Sequence, residues 1–385
     1  MKKAIFAVLI LITFGMIVPV YPKCTVAVIS GKATPDGRPL LWKNRDSSTR
    51  NNQIMHFKGE KYDFIGVVNA GDPSQVWMGI NSAGLAIMNS ESKDLEGSDY
   101  DDEGYLMRHV LGNFGTIREF QNYLDLSNGV GRSVTSNFGL IDAQGGAGFF
   151  ETGNTTYTFF NANDPNNAPD GLLVRANYAE TGNGKGYGYY RRSRAEELLQ
   201  FAVGHDSLTH KYILQAVARD VKTETINPYP LDSTSVDTLS TGSTVDRHRT
   251  VSCAVFHGVR AGEDPKYATM WTILGEPVAG VAIPLWVASG KTGDLVTGSQ
   301  NAPLNLTIQS IEEQLYPLDG QPTILKVSRL PEILGVNIPL ENLILDATAH
   351  TLDAWRADQN YLPSVQQFQY QVQQTVQSVL QSETR

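Results

Sequence analysis

Short apolar runs, each closed by a tight-turn signal, recur from Cys24 to about residue 290 and constrain the fold more than any other feature. The first group is Val26–Ser30, Pro39–Asn44, Phe64–Asn69, Val76–Ile80 and Leu85–Asn89. A second is Asn137–Asp142, Gly148–Thr152, Thr156–Asn161 and Leu172–Asn177, and a third Ser252–Val259, Thr269–Leu274 and Val281–Val287. Pro35-Asp36-Gly37, Ser82-Ala83-Gly84 and Gln144-Gly145-Gly146 punctuate them. Runs at hairpin spacing predict antiparallel sheets. Helical patterns fall between the groups. Thr116-Ile117-Arg118-Glu119 has the form of a capping box opening a helix to about Leu126. Ser193 with Glu196 predicts a second helix to about Val203, and Ser207 to about Arg219 a third. Strand runs interrupted by helices make an α+β fold with layered sheets. Residues 220–246, rich in Thr, Ser and Pro, read as a loop. The tail from about Leu352 is Gln-rich and helical in pattern with a break at Pro363, and it either packs on the body or mediates association.

Composition narrows the function. Of 385 residues 41% are hydrophobic, and 16 Tyr, 14 Phe and 5 Trp are too many for a disordered chain. Lys and Arg number 31 against 40 Asp and Glu, a net charge of −9, and no basic run offsets it, which argues against nucleic-acid binding. Residues 1–23 stand apart: Lys2 and Lys3 precede the uncharged stretch Ala4–Val20. A basic segment followed by an apolar one is the pattern of a bacterial-type export signal, and it predicts a periplasmic or secreted protein. The stretch is marginally short for a membrane span and carries Gly15 and Pro19, so no stable membrane insertion is expected after cleavage. Tyr21-Pro22-Lys23 does not have the small residues of a signal-peptidase site, so a short propeptide ending at Lys23 would need a further cut.

The two cysteines, Cys24 and Cys253, could form one disulfide in an exported protein. Alternatively Cys253 is a small buried hydrophobe in the run Val251–Val255, and Cys24 is a nucleophile. A thiol needs a nearby base. If proteolysis frees Cys24, its own α-amine, with an unperturbed pKa of about 7.7–8.0, supplies one. In the precursor that nitrogen is an amide and cannot accept a proton. The seven histidines form no metal-ligand pattern and no nucleotide site appears, so neither metal nor cofactor is expected; a G-x-S-x-G elbow is also missing. The Gly182–Gly188 run reads as a flexible surface loop.

Several segments in order resemble the N-terminal-nucleophile (Ntn) amide hydrolases. These are Cys24-Thr25, Ala33–Gly37, Lys43-Asn44-Arg45-Asp46, Trp77–Ala86 followed by Asn89, Phe138–Ala143, Gly148–Glu151, Arg175-Ala176-Asn177-Tyr178 and Thr269-Met270-Trp271. The resemblance is to the choloylglycine hydrolase and penicillin V acylase family and the related isopenicillin-N acyltransferase family, and it spans roughly 24–290. It implies a four-layer αββα sandwich of two antiparallel sheets, with residues 1–23 removed, an amide hydrolase domain over 24–350 and a helical tail over 351–385. It implies that Cys24 attacks an amide carbonyl, that Asp46 orients the Cys24 amine and sulfur, and that Asn177, with Asn89, serves the oxyanion. Arg249 is the candidate for a late family arginine. Arg191, Arg192 and Arg194 read as a solvated face or ion pairs.

The implied reaction is hydrolysis of a non-peptide linear amide through a thioester, with acyl transfer on the same site, or a non-catalytic envelope or binding protein, as alternatives. The implied substrate is a small-molecule N-acyl amide: penicillin V, a bile-acid conjugate, an acyl homoserine lactone or another, each with an apolar acyl group. Bile-salt hydrolases carry Arg where this chain has Lys43, which disfavours bile acids. The family's frequent tetramers make a homo-oligomer an expectation by analogy.

Overall fold

The computed structural model describes residues 24–97 and 102–383, so the expected leader at 1–23 lies outside the described residues. The chain runs through β1 (Thr25–Ile29), β2 (Leu40–Asp46), β3 (Asn52–Phe57), β4 (Phe64–Asn69), β5 (Met78–Asn81) and β6 (Ala86–Glu91). Helices α1 (Glu103–Asn113) and α2 (Ile117–Ser127) follow, then β7 (Ser136–Ile141), β8 (Ala147–Thr152), β9 (Tyr157–Asn161) and β10 (Leu172–Arg175). Next come α3 (Tyr189–Gly204) and α4 (His210–Tyr212), which continues as a π turn over Ile213–Val217. The remainder is β11 (Thr238–Ser240), β12 (Thr250–His257), β13 (Thr269–Ile273), β14 (Ile283–Leu285), α5 (Pro303–Leu315), β15 (Ile324–Lys326), α6 (Leu330–Ala357) and α7 (Leu362–Glu383).

Among the described residues the strands form two large antiparallel sheets. One has the order β10-β1-β2-β12-β13-β14; the other is a meander, β3 through β9 in sequence order, and β11 pairs separately with β15. Alternation along each meander strand divides its side chains between two cores. Ile65, Val67, Met78, Ile80, Met88 and Phe149 share a core with Val26 and Val28 of β1, which stacks sheet on sheet. Phe64, Val68, Ile87, Phe138, Leu140 and Phe150 face outward, where Leu106, Met107 and Val110 of α1 and Phe120 and Leu124 of α2 cover them. Gly139 sits where the sheets approach: an added Cβ would lie 3.0 Å from Val28 and 2.8 Å from Phe149. On the far face of the first sheet, Ala195, Leu199 and Ala202 of α3 join Leu214 and Val217 of the π turn in the same core. The result is the four-layer αββα sandwich that the resemblance implies.

Thr116 and Glu119 form the full capping box of α2. Other elements depart from expectation. Helix α3 starts a turn before Ser193, which lies exposed inside it. The helix expected from Ser207 is capped by Thr209, whose Oγ1 accepts from Tyr212 N at 3.1 Å, and then widens into the π turn. The expected loop over 220–246 contributes β11 to a small ribbon. The boundary expected at 350/351 falls inside α6. Beyond Pro363 the glutamines of α7 face the body at helical spacing: the Nε2 atoms of Gln366, Gln369 and Gln373 donate to the carbonyls of Ser289 (2.8 Å), Lys291 (2.8 Å) and Thr292 (2.6 Å). The tail therefore packs on the body.

Arg219, just past the π turn, is buried and bonds Glu341 of α6 twice, Nη1 to Oε1 at 2.9 Å and Nη2 to Oε2 at 2.8 Å. The carbonyls of Leu214, Pro277 and Gly280 take its other bonds, and Glu341 Oε2 also accepts from Ala282 N. Deleting one member of such a pair strands the other charge. Glu341→Ala should cost about 3–5 kcal/mol in urea unfolding. A cost under about 1 kcal/mol, the range of exposed pairs, would mean that the pair does not fasten α6.

Candidate active site

Cys24 immediately precedes β1, which lies between β10 and β2, with Thr25 opposite Asn44 and Val26 opposite both Lys43 and Arg175. Alternation along β2 sends Lys43 and Arg45 into the space between the sheets, where they meet Asn89 and Asn69 of the meander. Asn44 turns the other way and donates to the carbonyls of Ala218 and Val245. A cleft of about 270 Å³ opens where the strands end, and Cys24, Lys43, Asp46, Trp77, Asn89 and Glu91 are among its lining residues.

Asp46 is buried; its Oδ2 accepts from Arg247 Nη1 at 2.6 Å and its Oδ1 from Thr250 Oγ1 at 2.8 Å. Asn89 accepts at Oδ1 from Lys43 Nζ at 2.8 Å and donates from Nδ2 to Ser136 Oγ at 3.1 Å. Lys43 Nζ also donates to the Trp77 carbonyl at 3.0 Å. Burial pulls the Lys43 ammonium down to about 8, against the attraction of the neighbouring Cys24 sulfur.

Asn177 follows β10, paired through its backbone with Tyr187. Its Oδ1 accepts from Arg191 Nη2 at 3.1 Å and its Nδ2 donates to the Glu91 carbonyl at 3.0 Å. The same guanidinium reaches the start of β1, with Nη1 bonding the Cys24 carbonyl at 2.7 Å and Thr25 Oγ1 at 2.8 Å. Gly188, at the N-cap of α3 with φ 87°, leaves the room that Arg191 Nη2 fills. Burial lowers Arg191 to about 10, so it stays charged near neutrality.

Cys24, Asp46 and Asn89 therefore share one cleft, and Asn177 is tied to Cys24 through Arg191. Arg249 is elsewhere: it lines a neighbouring cleft with His248 and Glu312, while Arg247, two residues earlier, bonds Asp46. The reading of Arg191 as a solvated or ion-paired residue is corrected, since it is 2% exposed and bonds Cys24, Thr25 and Asn177. Arg194 does form ion pairs, with Asp220 and Glu197 both at 2.8 Å. Arg191 and Arg194 share the buried stripe of Ala195, Leu199 and Ala202, and as charged residues they mask its apolar contrast in the sequence. The disulfide alternative fails because both cysteines are free and buried. Cys253 stands opposite Asn44 in β12, across β2 and on the face turned away from Cys24, and burial pushes its thiol up. Among the described residues no group of three or more His, Cys, Asp or Glu could hold a metal, and no helix is long and apolar enough to cross a membrane.

No protein-family model matches the chain, and no curated protein matches it. Among solved structures, it is similar to a conjugated bile acid hydrolase from Clostridium perfringens, with 15% identity over 65% of this chain and 88% of that one, at a TM-score of 0.40. A Caenorhabditis elegans ortholog of N-acylethanolamine-hydrolyzing acid amidase matches with 17% identity over 61% and 92% of the two chains, at 0.41. Penicillin V acylase from Agrobacterium tumefaciens matches with 14% identity over 68% and 85%, at 0.36. At such identities and scores the functional reading stands on the geometry of the site.

Two outcomes check that geometry. Arg247→Ala leaves the Asp46 carboxylate buried without its countercharge and should cost about 3–5 kcal/mol, while Arg249→Ala should stay within about 0.5 kcal/mol. Equal effects in urea unfolding would contradict the placement of Arg247. The second outcome concerns pH. Lys43 loses its proton near 8 when folded and at its ordinary 10.5 when unfolded, so between these values the unfolded chain binds more protons. Stability should rise with pH across that window in the wild type and rise less in Lys43→Met; identical slopes of urea midpoint against pH would refute the burial of Lys43 as a cation.

Proposed function

We propose that this chain is an exported cysteine Ntn hydrolase that cleaves a non-peptide linear amide of a small-molecule N-acyl substrate after residues 1–23 are removed. The observation that carries the reading is the place of Cys24, at the head of β1 in a cleft shared with Asp46 and Asn89, its carbonyl held by Arg191.

Once freed, the Cys24 α-amine takes the proton from Sγ, and the sulfur attacks the amide carbonyl carbon. Asp46 lines the same cleft as Cys24 and would hold the α-ammonium, since its oxygens each retain acceptor capacity beyond their bonds to Arg247 and Thr250. The oxyanion needs donors already in place. Each side-chain amide offers two N–H groups, and Asn177 and Asn89 each spend one on a protein partner, leaving one to donate. The C–N bond then breaks, and the departing amine takes the proton from the α-ammonium. Water attacks the thioester with the α-amine as base, releasing the acid and restoring the thiol. A periplasmic or secreted setting, and assembly into a homo-oligomer, belong to the same reading.

The test uses chain beginning at Cys24 and a panel of N-acyl amides. Turnover and an acyl adduct on the peptide that starts with Cys24 are expected, and both should vanish in Cys24→Ala. Removing the Asn177 donor with Asn177→Ala should lower kcat about 100–1,000-fold. Amide cleavage that survives in Cys24→Ala would refute the proposal.

A further inference from the structure

We infer that the part of the substrate seated in the Cys24 cleft is small and polar and presents an anionic group, such as a carboxylate, to Lys43. This rests on the amide-hydrolase reading above, and it departs from the apolar acyl group that the family resemblance implies.

The cleft's size is the first observation. At about 270 Å³ the part beside Cys24 lies at the lower edge of the ~300–1,000 Å³ typical of sites for drug-sized ligands, and it meets the neighbouring cleft of about 450 Å³ at Ser47 and Ser48. Its walls are the second. Ser47, Ser48, Thr49, Asn69 and Gln75 line it beside the cations Lys43 and Arg45, and Trp77 is the aromatic among the lining residues. A long acyl chain or a fused-ring body would strip water from these groups and return no hydrogen bonds.

Lys43 is the third observation. It is 1% exposed, and the two bonds that its Nζ makes go to neutral oxygens, the Trp77 carbonyl and Asn89 Oδ1. Among the described residues no carboxylate lies within ion-pair distance of it. The acids nearby have other partners: Asp46 pairs with Arg247 at 2.6 Å, Glu91 pairs with Lys93 at 3.2 Å, and Glu103, whose charge also acts on Lys43, accepts from Thr135 N at 3.2 Å. Arg45 adds a second positive charge on the same face of β2. An ammonium has three donors, so one remains, in a buried place where a charge is costly without a partner. A substrate anion would complete the site. Its lowered proton affinity agrees with a cation waiting for a counter-ion.

Two kinds of amide carry that chemistry, with the anion on the acyl side or on the amine side. The experiment therefore measures kcat/KM for N-succinyl and N-decanoyl p-nitroanilides and the methyl ester of the first, and for N-acetylglycine against N-acetylglycinamide. Mature wild type, Lys43→Met and Lys43→Arg are compared, with urea midpoints confirming that each is folded. In at least one series the anionic substrate should exceed its neutral counterpart by about 10–100-fold, the scale of one hydrogen bond to a charged group. That ratio should collapse in Lys43→Met and persist in Lys43→Arg. Preference for the decanoyl amide would overturn the inference. So would an equal fall for every substrate in Lys43→Met, since a lysine that serves only the Cys24 thiolate acts on all substrates alike. If no amide in either series is turned over and no adduct forms on Cys24, the hydrolase reading fails, and this inference falls with it.

Discussion

The bond from Arg191 to the Cys24 carbonyl is the contact on which the rest of the site depends. It fixes the first peptide of β1 at the point where the chain leaves the sheet, the position at which a strand would ordinarily fray. The same guanidinium holds Asn177, so one side chain from α3 sets the distance between a strand head and the end of β10. Because Arg191 is buried, it must spend its donors on fixed acceptors, and that requirement makes the arrangement rigid. Gly188 is part of the same device, since any side chain there would occupy the space of the guanidinium.

Around this anchor, charge is distributed by strand alternation. Successive residues of β2 point to opposite faces: Lys43 and Arg45 meet the meander, and Asn44 faces the helices. Asp46, at the end of the strand, reaches Arg247 and Thr250 at the start of β12. A central strand that carries lysine, asparagine, arginine and aspartate in succession is expensive to bury, and each group is met by a partner from another element. This cost is consistent with a site built for chemistry, since a purely structural sheet would place aliphatic residues there.

The sheets were legible because their short apolar runs and turn signals are strong, as in Phe64–Asn69 and the Ser82-Ala83-Gly84 turn. Strand β3 was not, because Asn52, Gln53 and His56 interrupt its apolar pattern. Asn52 accepts from Arg45, and Gln53 Oε1 accepts from Gly298 N, contacts that no local pattern foretells. Helix α1 also escaped: its first residue, Glu103, reads as a surface acid but is buried and accepts from Thr135 N at 3.2 Å. At the site, Cys24, Asp46 and Asn89 came from ordered motifs, and they share one cleft. The arginines were harder. Arg247 and Arg249 stand in irregular backbone before β12, where a shift of two residues decides which one faces Asp46, and sequence periodicity offers no register there.

The account's central claim is that Cys24 works with its own α-amine, and the covalent state of that nitrogen tests it most directly. Intact mass and N-terminal sequencing of the active protein, recovered from the compartment to which the cell delivers it, would read that state. The account predicts a chain that begins at Cys24. A fully active chain that still carries Lys23 on the Cys24 nitrogen would contradict it, because an amide there cannot take the thiol proton.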